Sequence, residues 1–162
     1  MLPRFQKILY ASDLGEHTRS ASRVAVSLAQ QYDASIVMLH TLEPVGAYGR
    51  ALIETYVSSD DLERVYQEGQ QRVLEKMRKR LERFCLEEFE EGEDMSSRVS
   101  SLMVKEGMPG EVIVQVAQDK EADLIVVGTH RNVGGLKRML IGSTARYVTQ
   151  HATCPVLVVP SE

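Results

Sequence analysis

The sequence predicts an α/β fold, a doubly wound parallel sheet of five strands with helices on both faces. Three observations carry the prediction. The runs Lys7–Ser12, Ser35–Leu42 and Leu124–Val127 are almost continuously apolar rather than alternating, as strands are when both faces are covered. The segments between them change to a helical period, with Ala21, Val24, Ala25, Leu28 and Ala29 on one face of the first. The resulting order, strand and helix in strict alternation, is that of parallel sheets whose crossovers are helices. At 162 residues the chain is expected to form a single domain, residues 1–162, with a core of ordinary size.

Taken in order, the first strand is Lys7–Ser12, closed by the turn-like Asp13-Leu-Gly15. A helix begins at Thr18 and ends near Asp33, and Ser35–Leu42 is the second strand, stopped by Glu43-Pro44. Val45–Ser59 holds glycines, tyrosines and Arg50 with no strong period, and is read as a mobile loop with room for a helical turn. From Asp60 to about Glu90 runs a long amphipathic helix with Leu62, Val65, Tyr66, Val73, Met77, Leu81, Phe84 and Phe89 near one face. Its cluster of Arg and Lys between 72 and 83 reads as a solvated face laced with i,i+4 pairs rather than a binding patch. Glu87–Asp94 is read as an exposed acidic turn, not a metal site. Val99–Lys105 is the third strand, and Gly107-Met-Pro-Gly110 starts the next helix with Pro109 in its first turn. Leu124–Val127 is the fourth strand, Gly142–Gln150 a helix, and Pro155–Pro160 a closing strand bracketed by prolines.

Composition narrows the function classes. The chain is 43% hydrophobic and 26% charged with net charge −4, which argues against a general nucleic-acid or membrane-surface binder. No apolar run approaches the roughly 20 residues of a membrane span, and no signal-peptide core precedes the first strand. Cys85 and Cys154 lack CxxC spacing and are read as two buried free thiols of a reducing compartment, so the expected location is cytoplasmic.

The chemistry concentrates at the strand ends. A buried strand stops at Gly128 and leads through Thr129, His130 and Arg131 to Gly142-Ser143-Thr144 at a helix start. Unpaired N–H groups and the helix dipole at such a start favour phosphate, Gly142 lets a ligand approach closely, and Ser143 adds a hydroxyl. An ordinary loop with Ser143 as N-cap explains the same residues. In a doubly wound sheet Ser12-Asp13, His40-Thr41 and Gly128 would face one crevice. His40 is expected to bond to backbone within its strand, and no histidine has a partner at zinc-ligand spacing, so no metal ligand is assigned. Asp13 is either a working carboxylate or a turn-closing residue. Ser143 has no matched base and no nucleophile elbow or Cys/His pair is present, so no catalytic residue is assigned.

Together these stretches resemble the universal stress protein family across nearly the whole chain. Lys7-Ile-Leu-Tyr-Ala-Ser-Asp13 is similar to its first strand and acidic turn, and Val37-Met-Leu-His-Thr41 to its second strand. Glu106-Gly-Met-Pro-Gly110 resembles its helix start after strand three. Val126-Val-Gly-Thr-His130 with Gly135-Leu-Lys-Arg-Met-Leu-Ile-Gly-Ser-Thr-Ala145 resembles its phosphate loop, and Cys154–Pro160 its closing strand. The resemblance implies strand order 3-2-1-4-5, the adenine-nucleotide alpha-hydrolase-like arrangement, often a homodimer, and in one subclass bound ATP, alone or with Mg2+. It further implies that Ala11, Ser12 and Asp13 contact the nucleoside, with Asp13 on the ribose hydroxyls. By the same resemblance the Thr41 backbone pairs with the adenine edge, and Gly128, Thr129, His130, Arg131, Gly142, Ser143 and Thr144 wrap the phosphates.

One departure stands out. The ATP-binding subclass has Gly-x2-Gly-x9-Gly-(Ser/Thr), but here Arg131 follows three residues after Gly128, and thirteen residues rather than twelve separate Gly128 from Gly142. Counted back from Gly142, Asn132 takes the middle glycine's place, and asparagine tolerates the left-handed conformation better than most residues. Three functions follow. The first is a cytoplasmic nucleotide-binding stress or regulatory protein, dimeric through its last strand Val156–Val159 and acting on a protein partner the sequence does not name. The second is a dimeric interaction module of the same family that binds no nucleotide. The third is an enzyme that hydrolyses nucleotide or transfers adenylate. The first is favoured, as a binding protein rather than an enzyme, with weak ATP hydrolysis left open.

Overall fold

Five short runs of β-branched and aliphatic residues make the sheet: β1 (Lys7–Ala11), β2 (Ser35–Leu42), β3 (Val99–Glu106), β4 (Leu124–Gly128) and β5 (Val156–Val159). The helices are α1 (Arg19–Tyr32), α2 (Ala47–Tyr56), α3 (Ser59–Glu88), α4 (Pro109–Asp119) and α5 (Ser143–His151). These assignments come from a computed structural model that describes residues 2–12, 19–88, 96–129 and 141–161. The strands are parallel in the order β3-β2-β1-β4-β5, with β1 in the centre and Lys7 opposite Ser35 on one side, Ile8 opposite Leu124 on the other.

Alternation along each strand sorts the side chains into two cores. Ile8, Tyr10, Ile36, Met38, Leu124 and Val126 pack against Ala21, Ala25 and Ala29 of α1 and Met77 of α3. Leu9, Val37, Leu39, Ile125 and Val127 pack against Ile113, Val116 and Ala117 of α4 and Ala145 and Val148 of α5. With both faces covered, the strands had no need of alternating polarity. The alanine ridge of α1 brings that helix close to the sheet, and its chain reverses at Asp33, which takes φ 53° before Ala34 returns a hydrogen bond to the Ala29 carbonyl (2.9 Å).

Two glycines set where α4 starts and how closely it packs on α5. Gly107 has φ 147°, a conformation that L side chains rarely adopt, and its N–H donates to the Leu42 carbonyl at 2.9 Å. Gly110 is buried against the Tyr147 ring. Asp123 anchors the entry of β1, its Oδ2 accepting from the N–H groups of Gln6 (2.8 Å) and Lys7 (2.9 Å).

Three expectations require correction. Val45–Ser59 is not a loop, because Ala47–Tyr56 forms the ten-residue helix α2. It buries none of its residues, and the Tyr48, Leu52 and Tyr56 that recur along it at helical spacing are exposed. The long helix α3 starts at Ser59, one residue early, because the Ser58 hydroxyl accepts from the Asp61 N–H (3.2 Å) and caps it. Its apolar stripe is not uniformly inward: Met77 is fully buried, but Val65 is 57% exposed. Thirty residues of helix extend about 45 Å, and Val65 stands about 120° round it from Met77, off the buried side. The free thiol of Cys154 is half-buried rather than buried. The expected acidic turn lies largely outside the described residues.

Candidate functional site

The strand order creates a crevice. From β1 the chain steps outward to β2 and β3, then crosses to the other side of β1 for β4 and β5. The connections after β1 and β4 therefore diverge to opposite faces, and a gap opens beyond their carboxyl ends. Ala11 lies opposite Val127, which brings Ser12 level with Gly128 across that gap. Ser12 is 7% exposed, and Ala11, Gly128 and Thr129 are half-buried.

The edge of β2 turns toward the same gap. The Leu39 carbonyl accepts from the Ser12 N–H at 2.8 Å, on the β1 side, whereas the Leu42 carbonyl accepts from Gly107 on the β3 side. Peptide groups of a parallel strand alternate in this way, so the N–H and C=O of Thr41 share the direction of Leu39 and aim past the end of β1. Ala11–Leu39 is the last pair of that ladder. Beyond it, His40 Nδ1 lies 2.7 Å from the Ser12 carbonyl oxygen. A carbonyl can only accept, so Nδ1 carries the proton and donates. The expectation of a backbone-bonded histidine at this strand end holds.

On the opposite wall, β4 ends with Gly128, where an added Cβ would meet, among the described residues, only Ala21 Cβ at 3.8 Å and the Val159 carbonyl at 3.9 Å. The fold itself leaves room for a side chain there. Thr129 is held by its surroundings: its N–H donates to the Val159 carbonyl (2.9 Å), its hydroxyl accepts from the Ser161 N–H (2.9 Å), and the Ser161 hydroxyl donates to its carbonyl. This clip between β4 and the segment after β5 had no signal in the sequence, since two hydroxyl residues 32 apart form no motif.

At α5 the cap is Gly142 (φ −59°, ψ 159°), not Ser143 as the plain loop reading had it, and no side chain supplies a capping bond. Ser143 is exposed and Thr144 half-buried in the first turn, whose amides have no intrahelical acceptor by the nature of a helix start. Asp13, His130 and Arg131, with the lengthened part of the loop, lie outside the described residues. So the structure brings Ala11, Ser12, Thr41, Gly128 and Thr129 to one set of strand ends, and Gly142, Ser143 and Thr144 to one helix start.

Other surfaces offer less. An open groove along α3 is lined by Arg72, Lys76, Lys79, Arg80 and Arg83, but Arg72 and Lys79 lie 4.0 Å and 3.9 Å from Glu68 and Glu75. Exposed pairs at this spacing contribute little, and the face is that of a solvated helix. Burial pushes the Cys154 thiol upward, and the Asp123 carboxylate adds to the effect. Among the described residues no group of three or more His, Cys, Asp or Glu could hold a metal, and no helix is long and apolar enough to cross a membrane.

Comparison with known proteins gives a consistent result. The sequence pattern described as the universal stress protein family matches residues 4–160. A universal stress protein of Thermus aquaticus is 34% identical over 156 residues, covering 96% of this chain and 98% of its own. One from Methanocaldococcus jannaschii is 30% identical over 155 residues, 96% of this chain and 82% of its own. Universal stress protein UspA from Lactobacillus plantarum has the same fold at a TM-score of 0.71 and 24% identity, covering 98% and 99% of the two chains. A universal stress protein solved in complex with cAMP follows at 0.60 and 18%, again covering 98% and 99%.

Proposed function

Because the chain belongs to the universal stress protein family, we propose that it binds an adenine nucleotide, with ATP the favoured ligand, in the crevice beyond β1, β2 and β4. The observation that carries this reading is the main-chain edge of Thr41, a donor and an acceptor aimed into the gap that β1 leaves. Adenine presents a complementary acceptor and donor, so the base would occupy the position of a further strand residue. The phosphates would then reach Gly128 and the first turn of α5, where Gly142 caps without a side chain of its own. Asp13 would accept from the ribose, and His130 and Arg131, with Mg2+ where present, would meet the phosphates. A solved universal stress protein holding cAMP supports an adenine ligand for this fold.

The nucleotide state would act on protein partners through a dimer formed in the cytoplasm. β5 pairs with β4 alone, and Val156–Val159 at the sheet edge, with Leu157 36% exposed, would pair antiparallel with a second copy. The module is read as a binder rather than an enzyme, since the sequence offers Ser143 neither a nucleophile elbow nor a matched base. A dimeric module without nucleotide is the second reading, favoured by Arg131 and the additional loop residue.

Native mass spectrometry of freshly purified protein tests both. The expected result is a dimer carrying adenine nucleotide that Gly142→Glu loses. Protein without nucleotide, and without a thermal shift on adding ATP, would favour the second reading; a monomer at micromolar concentration would remove the β5 pairing.

A further inference from the structure

We infer that His40 is a positioning residue of the crevice: its ring ends the β1–β2 ladder and keeps the Thr41 peptide edge open for a ligand's base. The inference rests on the nucleotide reading above. Its starting point is register. With Ala11 opposite Leu39 and the Ser12 N–H on the Leu39 carbonyl (2.8 Å), one more ladder step would bring the Thr41 N–H to the Ser12 carbonyl. That step is absent among the described residues, and where it would fall the same oxygen accepts from His40 Nδ1–H at 2.7 Å. The ring thus substitutes for the next backbone donor.

Two things follow for the site. The Ser12 peptide is held at both its N–H and its C=O by β2, which fixes the direction in which the chain leaves toward Asp13. The Thr41 N–H is spared from the ladder, and with the Thr41 C=O it presents a donor beside an acceptor. That order suits the N1 acceptor and N6 amino donor of adenine and opposes the N1–H donor and O6 acceptor of guanine. His40 therefore also favours adenine over guanine, without touching the base.

The experiment compares the wild type with His40→Leu, which has no donor, and His40→Asn, whose amide N–H stands close to where Nδ1 was. Calorimetric titration with ATP and GTP is paired with hydrogen exchange of the Thr41 amide in protein stripped of nucleotide. In His40→Leu the Ser12 carbonyl, without the ring as donor, should recruit the Thr41 N–H, so that amide exchanges more slowly than in the wild type. Plain destabilisation would make it faster. ATP affinity should fall about five- to tenfold in His40→Leu, the scale of one lost hydrogen bond, and recover in His40→Asn. Unchanged or faster Thr41 exchange in His40→Leu overturns the inference, whatever the titration gives. Equal ATP affinity in the wild type and His40→Leu overturns it too and leaves the nucleotide reading standing. No ATP binding by the wild type overturns both.

Discussion

Gly110→Ala should lower stability while Gly69→Ala raises it, although both exchange the same atoms inside helices. A Cβ at position 110 would lie 2.8 Å from Cβ, Cγ and Cδ1 of Tyr147. Comfortable carbon–carbon contact begins near 3.5 Å, so about 0.7 Å of space must be opened. The Tyr147 ring is constrained, stacked on His151 with centroids 4.0 Å apart, and its Cβ cannot swing away from the backbone. Relief must come from separating α4 and α5, at the usual overpacking loss of about 1–3 kcal/mol. For a chain of 162 residues that is a fall in Tm of about 2–12 °C. Gly69 lies inside α3 with nothing within 4 Å of an added Cβ, so alanine there should gain about 1 kcal/mol from helix propensity. Thermal melts followed by circular dichroism, with urea midpoints as a second measure, read both. A Gly110→Ala protein that melts at or above the wild type would refute the packing argument.

Gly128→Ala separates fold from ligand. Its methyl meets only ordinary contacts at 3.8 Å and 3.9 Å, so stability should stay within about 0.5 kcal/mol of the wild type while ATP titration shows weakened binding. Unchanged affinity would mean that nothing approaches that backbone. The Cys154 thiol, pushed up by burial and by Asp123, should react with a disulfide reagent near pH 8 more slowly than the unfolded chain. Because the folded pKa is the higher one, its contribution to stability is complete below the unfolded pKa and is lost as pH rises through the folded value. Equal reaction rates for folded and unfolded protein would contradict it.

The sheet was readable because parallel strands carry their burial in composition alone. Ile8-Leu-Tyr10 and Leu124–Val127 are covered on both faces, and no polar residue interrupts them. The glycine and proline at 107 and 109 likewise announced a helix start, since glycine takes the positive φ of the turn and proline's fixed φ suits a first helical turn. What stayed hidden lacks a local cause. Helix α2 buries none of its residues, and Tyr48, Leu52 and Tyr56, four apart, are too short a run to separate a helix from a loop. Val65 and Met77 both belong to the apolar run, but they stand about 120° apart round the helix, and only Met77 faces the sheet. The strand ends could be placed opposite one another from topology. That His40 rather than Thr41 meets the Ser12 carbonyl depends on a register of one residue, which no motif encodes.

The central place of β1 also has a consequence for synthesis. Its partner β2 follows closely, Lys7 pairing with Ser35, so one edge of β1 can be satisfied early. The other edge waits for β4, whose first pair joins Ile8 to Leu124. At about 5–20 residues per second, the ribosome takes on the order of ten seconds to produce the stretch between β2 and β4. During that interval a nascent βαβ unit displays an open apolar edge, the kind of surface on which chaperones act. The strand that orders the crevice in the finished molecule is therefore the one most exposed to mispairing while the molecule is made.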